Sequence, residues 1–328
     1  MGQEKPEQLA DLAHIKPHVH EHCRLGKANK ECLRYQWLQQ VLPDVHNTSM
    51  ERLQRDPAVT HPQKCNLLRY WMGVIYNQRH AKLWGRTTDA SCPLCGCADG
   101  GHHMLSGCKA MAGMIQERHN AAGRMISAAV AEGELGASLI FTDVGNKEKM
   151  QAALEEQETH GRVQRAALKT MLMGAAAREL EAWSFPDAML VTPLGQHAGP
   201  AKDIPAHRRH LVFVEIKYVR DTDPSKQLAA AKEQHAPLMD ALTRGGHCAK
   251  AELVTILLGV GGTVYTSNTV DPLKRLGVHG HALDTLIARL QRHAAQTALA
   301  LVTSRRAAEH ARGTNTGRPA GAYPVNAG

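Results

Sequence analysis

Aromatic residues are scarce in this chain. Phe, Trp and Tyr together make up 4% of its 328 residues, so its cores must be built mostly from Ala, Leu, Val and Met. Long apolar runs are missing too: the longest strand-like stretch, AELVTILLGVGGTVY, is too short and too glycine-rich to span a bilayer. The opening MGQEKPEQL has no apolar segment of signal-peptide type, and Pro6 stands where a myristoylation motif wants Ser or Thr. These absences predict a soluble intracellular protein that does not engage membranes. No H-E-x-x-H occurs; His18, His20 and His22 in HVHEHC alternate instead, which argues against a metallopeptidase helix. The glycines of LLGVGGTVY do not spell G-x-G-x-x-G, which excludes the usual dinucleotide fingerprint. Nor is there a Tyr-x-Asp-Asp, or any adjacent pair of aspartates, so the usual polymerase signature is missing. No internal repeat is visible.

What is present points toward nucleic acid. The formal charge is +8 and the chain holds twenty histidines, a balance suited to a polyanionic partner. Hydrophobic residues at 43% support globular folding in more than one unit. Eight cysteines in an intracellular chain suit metal ligation or buried thiols better than a disulfide framework.

Composition divides the chain into four parts. Residues 1–85 read as helical, with ECLRYQWLQQVL and KCNLLRYWMGVIYNQRHAKLW separated by Pro43 and Pro62. Residues 86–135 form a small cysteine and histidine module that runs into the helix AMAGMIQERHNAAGRMISAAVA. Residues 138–302 follow a mixed α/β order. It comprises a strand at ASLIF, a long helix over 148–182, strands at SFPDAMLV and 211–221, and the helix PSKQLAAAKEQHAPLMDALTR. Strands at ELVTILLGV and GTVYTSN and a terminal helix complete it. Residues 303–328 are small, polar and Gly/Pro-bearing, which predicts a disordered tail.

The spacing C-x2-C-x7-H-x4-C brings Cys92 and Cys95 from one tight turn to His103 and Cys108 from a second short segment. Two thiolates, an imidazole and a third thiolate close a tetrahedron around Zn²⁺. Cys97 and His102 are the neighbours that compete for the same places. With all four positions filled by protein, the predicted zinc is structural, not catalytic.

The stretch HLVFVEIKYVR carries Glu215 and Lys217 inside an apolar strand. Side chains alternate across a strand, so Phe213, Glu215, Lys217 and Val219 share one face. Asp187 interrupts the preceding apolar run. If the two strands are antiparallel neighbours, two carboxylates and one ammonium meet at one point. Such a pair of carboxylates suits Mg²⁺ or Mn²⁺, hard cations that prefer oxygen, and a metal held there activates water for attack on a phosphate. Asp203 lies nearer to Asp187 in sequence but in a Pro-flanked loop. Glu155, Glu156 and Glu158 read as an exposed helix face.

Taken in order, KCNLLRYWMGVIYNQRHAKLWGR, the C-x2-C-x7-H-x4-C cluster, ERHN at 117–120, P-D at 186–187 and E-x-K at 215–217 resemble the C-terminal part of non-LTR retrotransposon polyproteins. These carry a restriction-like endonuclease of the PD-(D/E)xK type, and the resemblance covers roughly residues 65–245. It implies a mixed sheet flanked by helices, preceded by a helical region and a small zinc module. It also implies an endonuclease that nicks target DNA so that the 3′ hydroxyl primes reverse transcription. Asp187 and Glu215 would be the Mg²⁺ or Mn²⁺ ligands and Lys217 the catalytic lysine, with Lys232 on the next helix as the alternative and Gln227 and His235 beside it. The gap of 27 residues between Asp187 and Glu215 is longer than the family leads one to expect. Its excess is the basic loop with Lys202, His207, Arg208, Arg209 and His210. Arg118, His119, Arg208, Arg209 and Lys232 are the candidate DNA contacts; Arg118, His119 and Asn120 alternatively meet the nuclease domain or solvate their helix. The implied setting is the nucleus, with DNA, possible element RNA and a separate or upstream reverse transcriptase as partners. Two other readings stand beside it: a catalytically inactive, zinc-containing nucleic-acid-binding remnant, and a host repair or junction-resolving nuclease of the same fold.

Overall fold

The structure is a computed structural model that describes residues 41–142, 186–197, 199, 203–221 and 223–315. The histidine segment at 18–23, the helix expected over 148–182 with its three glutamates, Lys202 and residues 316–328 lie outside them.

The N-terminal part folds into α1 (Asn47–Arg55), α2 (His61–Trp71) and α3 (Gln78–Leu83). Helix α2 starts on a capping box, in which the Thr60 N–H donates to Gln63 Oε1 at 2.8 Å. The uninterrupted helical pattern of 64–84 breaks where Gly73 takes a φ of 66°. It restarts at Asn77, whose side chain accepts from the His80 N–H at 3.1 Å and caps α3. Helix α4 (Ala112–Glu132) follows the cysteine cluster. Then come β1 (Leu139–Thr142), β2 (Ala188–Pro193), β3 (Arg209–Val219), α5 (Ser225–Arg244), β4 (Lys250–Gly259), α6 (Asp271–Arg275) and α7 (Gly280–Asn315).

The strands form one α/β sheet in the order β1-β2-β3-β4. β1, β2 and β3 are antiparallel neighbours, whereas β3 and β4 run parallel with α5 as the crossover between them. Leu238 and Leu242 of α5 pack on Met189, Val191, Leu211 and Phe213. The other face of the sheet packs Val212, Val214 and Ile216 against Ile126 of α4 and Leu286 of α7. Strand β3 is therefore covered on both faces, which is why it reads as a continuous apolar run.

GTVYTSN is not a strand. The chain makes isolated bridges at Leu258–Val264 and Val45–Tyr265 and then turns through Thr266–Val270. The buried Asp221 carboxylate dictates this path, accepting the N–H groups of Gly261 at 3.1 Å and Thr263 at 3.3 Å. Gly261 is required here, since a Cβ would lie 2.6 Å from Trp71 Nε1 and 2.7 Å from Tyr70 Cδ1.

The tail expected to be disordered from Thr303 is helical as far as Asn315. Leu301 and Val302 sit in the core, and the buried Arg305 guanidinium makes a fork to Asp99 (2.7 and 2.6 Å) and a bond to Glu309 (2.8 Å). Residues of the N-terminal helices, the cysteine module, the sheet and α7 also share one hydrophobic cluster, with Leu67, Ile75, Leu105, Leu257 and Ala298 among its members. The divisions expected at 85 and 135 thus do not separate independent cores.

Removing one partner of a buried ion pair strands the other charge. Arg305→Leu is therefore expected to cost about 3–5 kcal/mol in urea unfolding. Burial opposes ionisation of Asp99, but Arg305 and the Gln78 N–H outweigh it and hold the carboxyl below 3.8. A depressed carboxylate stabilises the fold above the unfolded value and loses that contribution as pH falls through the folded one. The cost of Arg305→Leu should accordingly be full at neutral pH and shrink below about pH 4.

Candidate active site

The cysteine cluster is built from two turns. Ser91 bridges to Ala98, the Cys92 N–H donates to the Cys97 carbonyl at 2.7 Å, and Gly96 closes the knuckle at φ 75°. His103 opens a helical turn that ends at Cys108. The ligand atoms of Cys92, Cys95, His103 and Cys108 all lie within 4.8 Å of one another, and these four can hold a metal ion. The Cys92–Cys108 sulfur separation is 3.8 Å and the Cys95 Sγ to His103 Nε2 separation 3.4 Å. Tetrahedral zinc with ordinary Zn–S and Zn–N bonds needs edges of about 3.8 and 3.6 Å, so the donor set fits Zn²⁺. Burial pushes the Cys108 thiol up to about 11, so a thiolate there calls for a cation beside it. Cys97, exposed, and His102 stand outside the group.

Two arginines bind this module to the rest of the protein. Asp99 holds Arg305, as described above. Arg118 of α4 is 1% exposed; it donates to the Leu105 carbonyl at 2.8 Å and lies over the Tyr218 ring of β3 at 4.2 Å. This corrects the expectation that Arg118 contacts DNA. Its guanidinium ties the end of the cysteine module to the sheet, and burial pushes its pKa down.

Asp187 and the E-x-K segment meet because β2 and β3 pair with Ala188 opposite Val214. Asp187 is not inside the strand but just before it. Its carboxylate reaches past the last pair, and Oδ2 accepts the Ile216 N–H at 2.7 Å. His119 of α4 lies on the same group, with Nε2 3.0 Å from the Ile216 carbonyl and 3.4 Å from Asp187 Oδ2. Both neighbours are acceptors, so Nε2 carries the proton. Burial works against charging His119, but Asp187 and the Ile216 carbonyl prevail and its pKa is raised.

Glu215 is 4% exposed, on the face covered by α5. Lys217 binds its Oε1, and the fully buried His235 of α5 donates from Nε2 to Oε2 at 2.9 Å. Lys217 also donates to Gln234 at 3.1 Å. Burial alone would raise the Glu215 pKa; the hydrogen bonds from His235 and Lys217 more than compensate, and it is lowered. A buried carboxylate is thus kept ionised beside a lysine, with a second carboxylate on the backbone N–H of the next residue, Ile216.

Lys232 is exposed on α5, whereas Lys217 is the lysine in contact with Glu215. Asp203 is exposed in its turn. Arg208 turns back onto the Leu194 carbonyl at 3.3 Å and onto the Gln196 carbonyl, and Arg209 onto the Ile204 carbonyl at 2.6 Å. Both arginines therefore fold the basic loop upon itself. Sequence reasoning named His119 and His235 but gave neither its position: one lies at Asp187 and the other under Glu215. Among the described residues no helix is long and apolar enough to cross a membrane. No protein-family model matches the chain, and no curated protein matches it.

Proposed function

We propose that the chain is a metal-dependent DNA endonuclease of the restriction-like, PD-(D/E)xK kind, whose cysteine module holds structural zinc. The observation that carries this reading is that the Asp187 carboxylate accepts the Ile216 N–H, the backbone group between Glu215, buried and ionised, and its partner Lys217 in sequence. The strand order, with three antiparallel neighbours and a helical crossover to a parallel fourth, supports it.

Asp187 and Glu215 are the residues that would hold Mg²⁺ or Mn²⁺: one carboxylate just before β2 and one on the neighbouring β3, the latter already charged within the protein. When bound, the divalent ion supplies a water of lowered pKa and relieves charge on the phosphate. Lys217 sits where an ammonium can orient the attacking water or a phosphate oxygen. His119 fixes Asp187 through Nε2, and His235 fixes Glu215 from below, so both carboxylates are oriented before DNA arrives. Arg208 and Arg209 retain N–H donors beyond those spent on the loop, and phosphates can take these. Nicking leaves a 5′ phosphate and a 3′ hydroxyl, the end a reverse transcriptase on another chain or an upstream segment would extend. DNA as substrate, element RNA as a further partner and a nuclear setting belong to the same reading.

One observation favours the alternative, an inactive nucleic-acid-binding remnant: both Glu215 oxygens are held by protein, so one partner must give way for a metal to be bound. The two lysines test the assignment. Lys217→Met should lower Mg²⁺-dependent plasmid nicking by about 10²–10³-fold, while Lys232→Met cleaves within a few-fold of wild type. The reverse pattern would move the site onto α5.

A further inference from the structure

From Pro57 to Thr88 the chain contains no Asp or Glu, yet it carries Lys64, Arg69, Arg79, Lys82 and Arg86. The acids that flank this run do not neutralise it. Asp56 is paired with Arg292 at 2.9 Å, and Asp89 accepts the Ser91 N–H at 2.8 Å. Toward the C-terminal end of the run, where α3 finishes, Leu83 is 72% and Trp84 57% exposed. In this aromatic-poor protein an exposed indole among cations stands out. His80 stacks under it with ring centroids 5.6 Å apart and planes at 18°. The Arg86 guanidinium lies over the same ring, 5.6 Å from its centroid. Met72 and Val74, both about half exposed, are the other large apolar side chains bared in this stretch.

We propose that this surface is a second nucleic-acid site, separate from the nuclease centre: a stacking platform for unpaired bases of single-stranded DNA, centred on Trp84. The charge requires a polyanion, since an acid-free cationic stretch is complementary to a phosphate backbone. The bared apolar side chains select the single strand, because a duplex turns its bases inward and offers them nothing to cover. The indole, more than half exposed and backed by His80, offers its ring to a base once Arg86 leaves its place over that ring for a phosphate, and Arg79 and Lys82, exposed within five positions of Trp84, can take neighbouring phosphates. The inference rests on the nuclease reading at one point, that the strand is DNA: nicking frees a single-stranded end next to the site that made it.

The test is fluorescence anisotropy of the full, zinc-loaded chain with a labelled oligothymidine of about 20 nucleotides, a duplex and an oligouridine, without added Mg²⁺. Trp84→Ala is expected to weaken oligothymidine binding by about tenfold or more, with duplex binding unchanged. Trp84→Phe should restore most of the loss, because the π-face returns. Arg86→Gln should lower the slope of log affinity against log salt by about 1. The platform is overturned if Trp84→Ala binds oligothymidine like wild type, if it loses duplex and single strand alike, or if only oligouridine binding falls. Its failure is distinguishable from that of the nuclease reading. Normal oligothymidine binding by Trp84→Ala in a protein that nicks removes the platform alone. A selective loss in a protein that never nicks removes the nuclease alone.

Discussion

Stripping the zinc proposed for the cysteine cluster, or replacing Cys108 by serine, is expected to unfold the segment 92–108 and lower the melting temperature of the whole protein. Structural zinc contributes about 10–16 kcal/mol to modules of this size, comparable to the entire stability of a domain, about 5–15 kcal/mol. The loss does not stay local, because the module supplies the partners of two buried guanidiniums. Asp99 faces Arg305, and the Leu105 carbonyl faces Arg118. Without the module Arg118 would lose its carbonyl acceptor and Arg305 would keep only Glu309, and breaking the buried Arg305–Asp99 pair alone costs roughly 3–5 kcal/mol. Cys97→Ser is the control: Cys97 is exposed and outside the ligand group, so the variant should bind one equivalent of zinc and melt like wild type. Zinc content by atomic absorption together with a thermal melt reads both. A Cys108→Ser protein that melts like wild type would count against a structural zinc.

The second large effect falls on the carboxylate pair. Asp187→Ala and Glu215→Gln are each expected to reduce metal-dependent nicking by at least about 10³-fold. Glutamine keeps the shape of Glu215 and still accepts from His235, so Glu215→Gln separates charge from packing. It should fold, bind zinc and bind DNA while failing to cleave. Asp187→Ala removes the acceptor of the Ile216 N–H and the neighbour of His119, at a stability cost of about 1–3 kcal/mol. DNA affinity in the absence of divalent ions, measured beside cleavage, shows whether either variant has lost the reaction or the fold.

How far these sites could be read in advance depended on whether their contacts are local. Alternation along 211–221 put Glu215 and Lys217 on one face, and they meet there under α5. Cys92, Cys95, His103 and Cys108 lie within 17 positions, so spacing alone selected the group whose atoms converge. Asp187 was expected inside a strand, but β2 begins one residue later, and that offset lets its carboxylate reach the Ile216 N–H. Long-range partners were hidden. His119 and Ile216 are 97 positions apart and meet only because α4 packs on the sheet. Arg118 looked like a surface cation, since nothing local shows that the Leu105 carbonyl and the Tyr218 ring would bury it. The tail composition of 303–315 suggested disorder, but Arg305 continues a helix there through Glu309 four residues on and the distant Asp99.

The nuclease assignment is tested most directly by nicking of supercoiled plasmid with zinc-loaded wild type and Asp187→Ala, with Mg²⁺ or Mn²⁺ added or withheld. Withholding the divalent ion is the cleaner arm, because a chelator would also take the zinc. The expected result is open circle with 5′ phosphate and 3′ hydroxyl ends, formed only with added metal and only by wild type. Nicking that persists in Asp187→Ala, or wild-type protein that binds the plasmid and leaves it supercoiled with either metal, would contradict it.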